Sequence, residues 1–234
     1  MAELMVALDF DTQHEMESMV TQLGHHVSHY KVGHQLFTAL GPDSVKWLTG
    51  QGKKVFLDLK LHEIPNSVAK AVHNGGKLGV NWITVHASGG TAMMAAACEA
   101  ASLFPQLKIL ALTVVTGLSD ADLNTIGFQE NSQQLTLRLA RLAQQSGCSG
   151  IVCSAQDLSQ LKLALPIGVE YFCPGIRPAG SASQDQARVA NPTVAAQANV
   201  LIVGRPITQA TNPLNAALAI IQDIEQANED ESLV

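Results

Sequence analysis

Eight short apolar runs rich in β-formers recur along the 234 residues, each followed by a stretch of chain that leads to the next. They are LMVALDF (4–10), VSHYKVG (27–33), KVFLDLK (54–60), WITVHA (82–87), KILALTVV (108–115), GIVCSA (150–155), VEYFCPG (169–175) and NVLIVGR (199–205). They are continuous apolar runs rather than clean alternations, as expected of parallel strands covered on both faces. Between them lie helical patterns. Residues 12–24 carry Met16, Met19, Val20 and Leu23 at helical spacing, and 66–79, 90–104 and 132–147 follow. A last helix is expected from about Pro213 to Ala227. Gly24, Gly79 and Gly147 stand where helices should stop. This β/α alternation has no compositional break, so it predicts one (β/α)8 TIM barrel over residues 1–234, with a frayed acidic tail at 228–234. An open doubly wound sheet is the alternative.

Composition bears mainly on partners. Hydrophobic residues make up 47% of the chain, enough for a sizeable core, and the net charge is −6 with no basic run. Nucleic acid and an anionic membrane are therefore not expected partners. No run of 18 apolar residues is present, and the amino-terminal MAELMVALDF lacks the basic flank of a signal peptide. Cys98, Cys148, Cys153 and Cys173 form no CxxC pair, so a reduced, cytoplasmic protein is the expectation.

Only 15% of the residues are charged, yet several charges fall at strand ends: Asp9, Lys31, Asp58 with Lys60, and Arg205. In a β/α barrel those ends converge on one mouth, where sites are built. Asp58 and Lys60 are two apart and should project from one face of the third strand. In VGRPIT (203–208), Gly204 and Arg205 end the eighth strand, where backbone N–H groups and a guanidinium can hold an anion. Long loops at 117–131 and 176–191 follow strands five and seven, and the second adds Arg177 and Gln186 as donors. The eight histidines form no HExxH pattern and are read as scattered surface and core residues; His86 ends the fourth strand and could face the mouth. Cys153 and Ser154 lie in no nucleophile-elbow motif and are read as strand-end packing.

VALDF, KVG, FLDLKLHEIPNS, VHASGG, VVTGLSD, GIVCSAQ, PGIRP, DQAR and IVGRPITQA occur in that order over nearly the whole chain. In these motifs the chain resembles the bacterial orotidine 5′-phosphate decarboxylase family. DxKxxD alone, here DLKLHE, is shared with sugar-phosphate decarboxylases of the same superfamily; the combination with KVG, PGIRP and GRPIT is more specific. The resemblance implies a (β/α)8 homodimer that converts orotidine 5′-monophosphate to UMP and CO2, with no metal and no organic cofactor. It also implies a charge network of Lys31, Asp58, Lys60 and Glu63, the last reaching into the partner's site. Asp9 and Lys31 would hold the ribose and Thr116 the pyrimidine. Arg177, Gln186, Gly204 and Arg205 would hold the 5′-phosphate, and Ser67, where the family usually has Thr, would contribute from the partner subunit. The chain departs from the family at Glu63 (usually Asp), Gly117 (often Ser) and Cys173 (usually Thr).

With no cofactor sink in the sequence, charge developing at C6 of the pyrimidine has to be stabilised by a fixed cation, a role that suits Lys60. Two other readings share these motifs. A Mg2+-dependent sugar-phosphate decarboxylase would have a carboxylate where Lys31 stands. A non-catalytic nucleotide-binding barrel would bind UMP without releasing CO2.

Overall fold

The computed structural model describes residues 2–177 and 190–232. Eight parallel strands run β1 Glu3–Ala7, β2 His29–Val32, β3 Lys54–Leu61, β4 Trp82–His86, β5 Lys108–Leu112, β6 Gly150–Val152, β7 Glu170–Cys173 and β8 Val200–Val203. Each pairs with the next, and β8 pairs with β1, so the sheet is a closed barrel as the alternation predicts. Except for β3, which extends to Leu61, the strands are shorter at their carboxyl ends than the apolar runs suggest. Asp9 lies two residues beyond β1, and Arg205 two beyond β8.

The long helices form where the 3.6-residue pattern places them: α1 Gln13–Leu23, α4 Pro65–Lys77, α5 Thr91–Ala101 and α7 Ser132–Gln145. Thr12 caps α1 in a reciprocal box with Glu15, satisfying amides that the first turn leaves unpaired. Gly24 (φ 56°) and Gly147 (φ 89°) turn the chain out of α1 and α7 through backbone that other residues adopt at a cost.

Shorter helices depart from the sequence expectation. Residues 34–50 form α2 His34–Leu40 and α3 Pro42–Gly50, broken at Gly41 (φ 62°). Proline at the start of α3 forces the break, because it disfavours helical backbone in the residue before it. Each piece is too short for periodicity to reveal. The expected loop at 117–131 contains α6 Asp120–Thr125, capped by Ser119 and Asp122. The chain also forms α8 Leu158–Ala164, α9 Pro192–Ala195 and α10 Arg205–Thr208. The final helix, α11 Pro213–Ser232, continues past Ala227 into the acidic tail expected to fray. That stretch has neither Gly nor Pro to stop it, and Asn228 Nδ2 donates to Ile224 O at 2.7 Å.

Alternation within the strands sorts the core into two parts. Val6, Val55, Leu57, Ile83, Ile109, Ile151, Leu201 and Val203 face the helices. Met5, Ala7, Phe56, Trp82, Leu110, Leu112, Val152, Phe172, Val200 and Ile202 fill the barrel. Phe172 packs against Phe56 and Trp82, with ring centroids 5.8 and 5.5 Å apart. Gly150 is the tight point of this interior. A Cβ there would lie 2.7 Å from Glu170 O and 2.8 Å from Leu110 Cδ2. Gly150→Ala is expected to destabilise the barrel by about 1–3 kcal/mol, the usual cost of overpacking. At this chain length each kcal/mol lowers Tm by about 2–4 °C, a shift that a thermal melt resolves.

Candidate active site

The inward-facing positions of the strands stay apolar through the barrel and turn polar at its carboxyl end. Two residues beyond Ala7 is Asp9, and two beyond Phe56 is Asp58, followed at the same parity by Lys60. Two beyond Trp82 is Thr84, and two beyond Ile202 is Gly204. Lys31 lies in β2 beside them. The polar ends converge, as a closed parallel barrel requires. Asp9, Lys31, Asp58, Lys60, Thr116, Arg177, Gly204 and Arg205 line one cavity of about 210 Å3.

Asp58 is the centre of its charged floor and only 7% exposed. Its Oδ2 accepts from Lys60 Nζ at 2.8 Å and lies 3.8 Å from Lys31 Nζ. Its Oδ1 accepts from Thr84 Oγ1 at 2.8 Å. Lys31 Nζ in turn reaches Asp9 Oδ1 at 3.4 Å. Burial by itself would raise the Asp58 carboxyl. The charges of Lys31 and Lys60, with the hydrogen bonds from Lys60 and Thr84, outweigh burial and hold it below the ordinary value. The floor is thus an alternating row: carboxylate, ammonium, carboxylate, ammonium.

Two backbone features make this floor possible. Gly33, two residues after Lys31, leaves room for the ammonium; a Cβ there would lie 2.7 Å from Lys31 Nζ. Lys60 has φ 50°, the only positive φ of a non-glycine residue among the described residues. Left-handed backbone costs such a residue roughly 1–2 kcal/mol, and strain of this kind concentrates at functional sites. It accompanies an irregularity in pairing: β3 matches β4 at Leu57↔Ile83 and next at Leu61↔Val85, four residues against two.

The other expected residues fall into three groups. Thr116 (9% exposed) and Arg177 (7% exposed) are buried in the cavity wall, and Gly204 and Arg205 are half-buried beside β1. Glu63 and Ser67 stand outside the cavity, at the loop after β3 and in the first turn of α4. Glu63 is fully exposed, and hydrogen bonds from Ser67 and the Ile64 backbone pull its carboxyl below the ordinary value. Gln186 and most of the 176–191 segment lie outside the described residues. The segment's flanks are joined by Arg177 N donating to Ala190 O at 2.8 Å and Ala190 N donating to Gly175 O at 3.2 Å.

His86 ends β4 as expected but lines a neighbouring, mostly apolar cavity, where it stacks on His62 at 5.4 Å and bonds Ser88. Among the described residues no cluster of three or more His, Cys, Asp or Glu has the arrangement of a metal site, and no helix is long and apolar enough to cross a membrane. Cys153 lines the same cavity as the charged floor. Thr84 is the one buried polar contact of the floor that the sequence pattern does not single out. Its signal is faint, a lone hydroxyl in the apolar run WITVHA.

A family model for orotidine 5′-phosphate decarboxylase / HUMPS matches residues 2–220. Orotidine 5′-phosphate decarboxylase of Idiomarina loihiensis is 49% identical over 225 residues, covering 95% of this chain and 97% of that protein. The enzyme of the same name from Pseudomonas aeruginosa is 44% identical, covering 94% and 97%. The crystal structure of orotidine 5′-phosphate decarboxylase from Lactobacillus acidophilus superposes with a TM-score of 0.86 at 35% identity, covering 96% of this chain and 99% of that one. The sequence motifs, the closed barrel and the charged floor thus agree with these relatives, and the chain belongs to the orotidine 5′-phosphate decarboxylase / HUMPS family.

Proposed function

We propose that this chain is an orotidine 5′-phosphate decarboxylase, a carboxy-lyase that converts orotidine 5′-monophosphate to UMP and CO2 without metal or organic cofactor. The observation that carries the reading is the Lys60 ammonium, held 2.8 Å from Asp58 in the cavity that Arg177, Gly204 and Arg205 also line. A phosphorylated substrate fits this polarity, with its anion on the arginines and its ring over the lysine. The relatives' shared name supports the same activity.

The chemistry follows from the charges. Breaking the C6–carboxylate bond releases CO2 and leaves an electron pair on C6, in the plane of the ring. Lys60 stabilises that pair as a fixed cation and then transfers a proton to it, giving UMP; solvent reprotonates the amine. Asp58 keeps the Lys60 side chain aimed through their ion pair at 2.8 Å. Its place beside the substrate carboxylate is a secondary contribution. Asp9 and Lys31 hold the ribose, Thr116 the pyrimidine, and Arg177, Gln186, Gly204 and Arg205 the phosphate. Binding energy from the remote phosphate is thereby available to the step at the reacting carbon.

A homodimer completes the site in this proposal. Glu63 and Ser67 do not line their own cavity and flank Ile64, an apolar side chain 62% exposed. Exposed apolar surface beside an exposed carboxylate suits an interface, with Glu63 and Ser67 serving the partner's site. Glu63 is one methylene longer than the family's usual Asp, a difference that a preorganised site registers.

Orotidylate absorbance is expected to fall on adding the protein, equally with and without chelator; loss of activity in chelator would favour a Mg2+-dependent sugar-phosphate decarboxylase instead. Lys60→Ala is expected to lower kcat by at least about 10³-fold while UMP still binds. Near-normal turnover in that variant would remove Lys60 as proton donor. Arg205→Ala should mainly raise KM, by about 10- to 10²-fold, as the loss of a charge-assisted hydrogen bond predicts. Mixing inactive Lys60→Ala with an inactive Glu63→Ala variant tests the shared site. Random exchange in a two-fold dimer restores about a quarter of the sites. No recovery after proven subunit exchange would place Glu63 outside the partner's chemistry.

A further inference from the structure

Thr84 lies in the middle of β4, is fully buried at 0% exposure, and has no role in the chemistry above. It stands opposite the irregular part of β3, where residues 58–60 lose the regular register. Lys60 N donates to Thr84 Oγ1 at 3.0 Å. Thr84 Oγ1 is also 2.8 Å from Asp58 Oδ1. A hydroxyl has one proton and two lone pairs, and an amide N–H only donates. The roles are therefore fixed: Thr84 accepts from the Lys60 backbone and donates to the Asp58 carboxylate.

Asp58 Oδ2 takes the Lys60 ammonium at 2.8 Å. A closed circuit results, from the Lys60 backbone through the Thr84 hydroxyl and the Asp58 carboxylate to the Lys60 side chain. Without an acceptor for its N–H, the left-handed Lys60 would leave a poorly hydrated amide unpaired next to its own backbone strain. Threonine suits the position because branching at Cβ restricts χ1 and so aims the hydroxyl in advance.

We propose that Thr84 is a positioning residue for decarboxylation: its single hydroxyl holds both the left-handed backbone of Lys60 and the carboxylate of Asp58, setting the Lys60 ammonium at the reacting carbon. This rests on the reading of Lys60 as proton donor. The Asp58 carboxylate is faced by Lys31 from β2, Lys60 from β3 and Thr84 from β4, with Asp9 on the far side of Lys31 and His86 near Lys60. The Thr84 hydrogen bond is one of the contacts that hold its carboxyl low. Removing that bond raises the carboxyl toward its ordinary value, so Asp58 protonates at higher pH.

The test compares Thr84→Val, Thr84→Ser, Thr84→Ala and Lys60→Ala in the full chain, with kcat, KM and pH profiles for orotidylate and UMP affinity by calorimetry. Thr84→Val keeps the shape and removes the hydroxyl. It is expected to lose about 10²-fold in kcat, the cost of ångström-scale misplacement. KM and UMP affinity should stay within about threefold, since ground-state binding is not what the hydroxyl serves. The acid limb of kcat should move to higher pH. Ser and Ala both lack the γ-methyl, so their difference reports the hydroxyl alone. Ser should exceed Ala in kcat by more than about tenfold, and this comparison decides the matter if Thr84→Val does not fold. A folded Thr84→Val with the parent's kcat and acid limb, or equal kcat in Ser and Ala, overturns the role of Thr84. Full turnover in Lys60→Ala instead overturns the proton-donor reading on which it rests.

Discussion

Pairing of β8 with β1 turns eight short strands into one object. Glu3 to Val6 register against Val200 to Val203, and the closed sheet has no free edge to pair elsewhere. Closure also sets the geometry of the site. It brings Gly204 and Arg205, at the end of the chain's last strand, beside Asp9 at the end of its first. A nearly complete chain separates these residues in sequence. An open sheet of the same strands would leave them at opposite edges, and the cavity would have no wall on one side.

Inside the closed barrel, burial of Asp58 is the chief electrostatic problem. An isolated carboxylate there would take up a proton rather than stay charged. Lys31 and Lys60 supply opposite charge, and Lys60 and Thr84 supply hydrogen bonds, so the carboxyl titrates below its ordinary value. A carboxyl lowered in the folded state stabilises the fold above its unfolded-state pKa, and that contribution is lost as pH falls through the folded value. The arrangement that keeps Asp58 charged between the two lysines therefore also ties the fold's stability to pH on the acid side. Gly33 and the left-handed Lys60 backbone belong to the same floor: a Cβ at Gly33 would lie 2.7 Å from Lys31 Nζ, and the Lys60 ammonium meets Asp58 at 2.8 Å.

Much of this was legible in the sequence, because the relevant signals are local. Apolar runs of strand length, helical spacing at Met16, Met19, Val20 and Leu23, and glycines at helix ends report their own backbone. The charges after those runs could be assigned to one mouth once the barrel was inferred, since parallel strands end together. Short helices leave no legible period where a capping box or Gly41–Pro42 sets the boundary over fewer than two or three turns. Glu63 and Ser67 stand outside their own cavity. Their role in catalysis is inferred from resemblance, because the sequence carries no marker of which subunit a loop serves.

The sequence by itself determined the element order, the parallel barrel and the placing of scarce charges after apolar strands, all properties of neighbouring residues. Only the tertiary structure decided which of those charges meet, that Lys60 is left-handed, and that Thr84 holds it to Asp58. The Thr84–Asp58 bond joins residues 26 apart, across two strands whose register slips between Leu57 and Leu61. Such a contact depends on register and closure, which local periodicity does not encode.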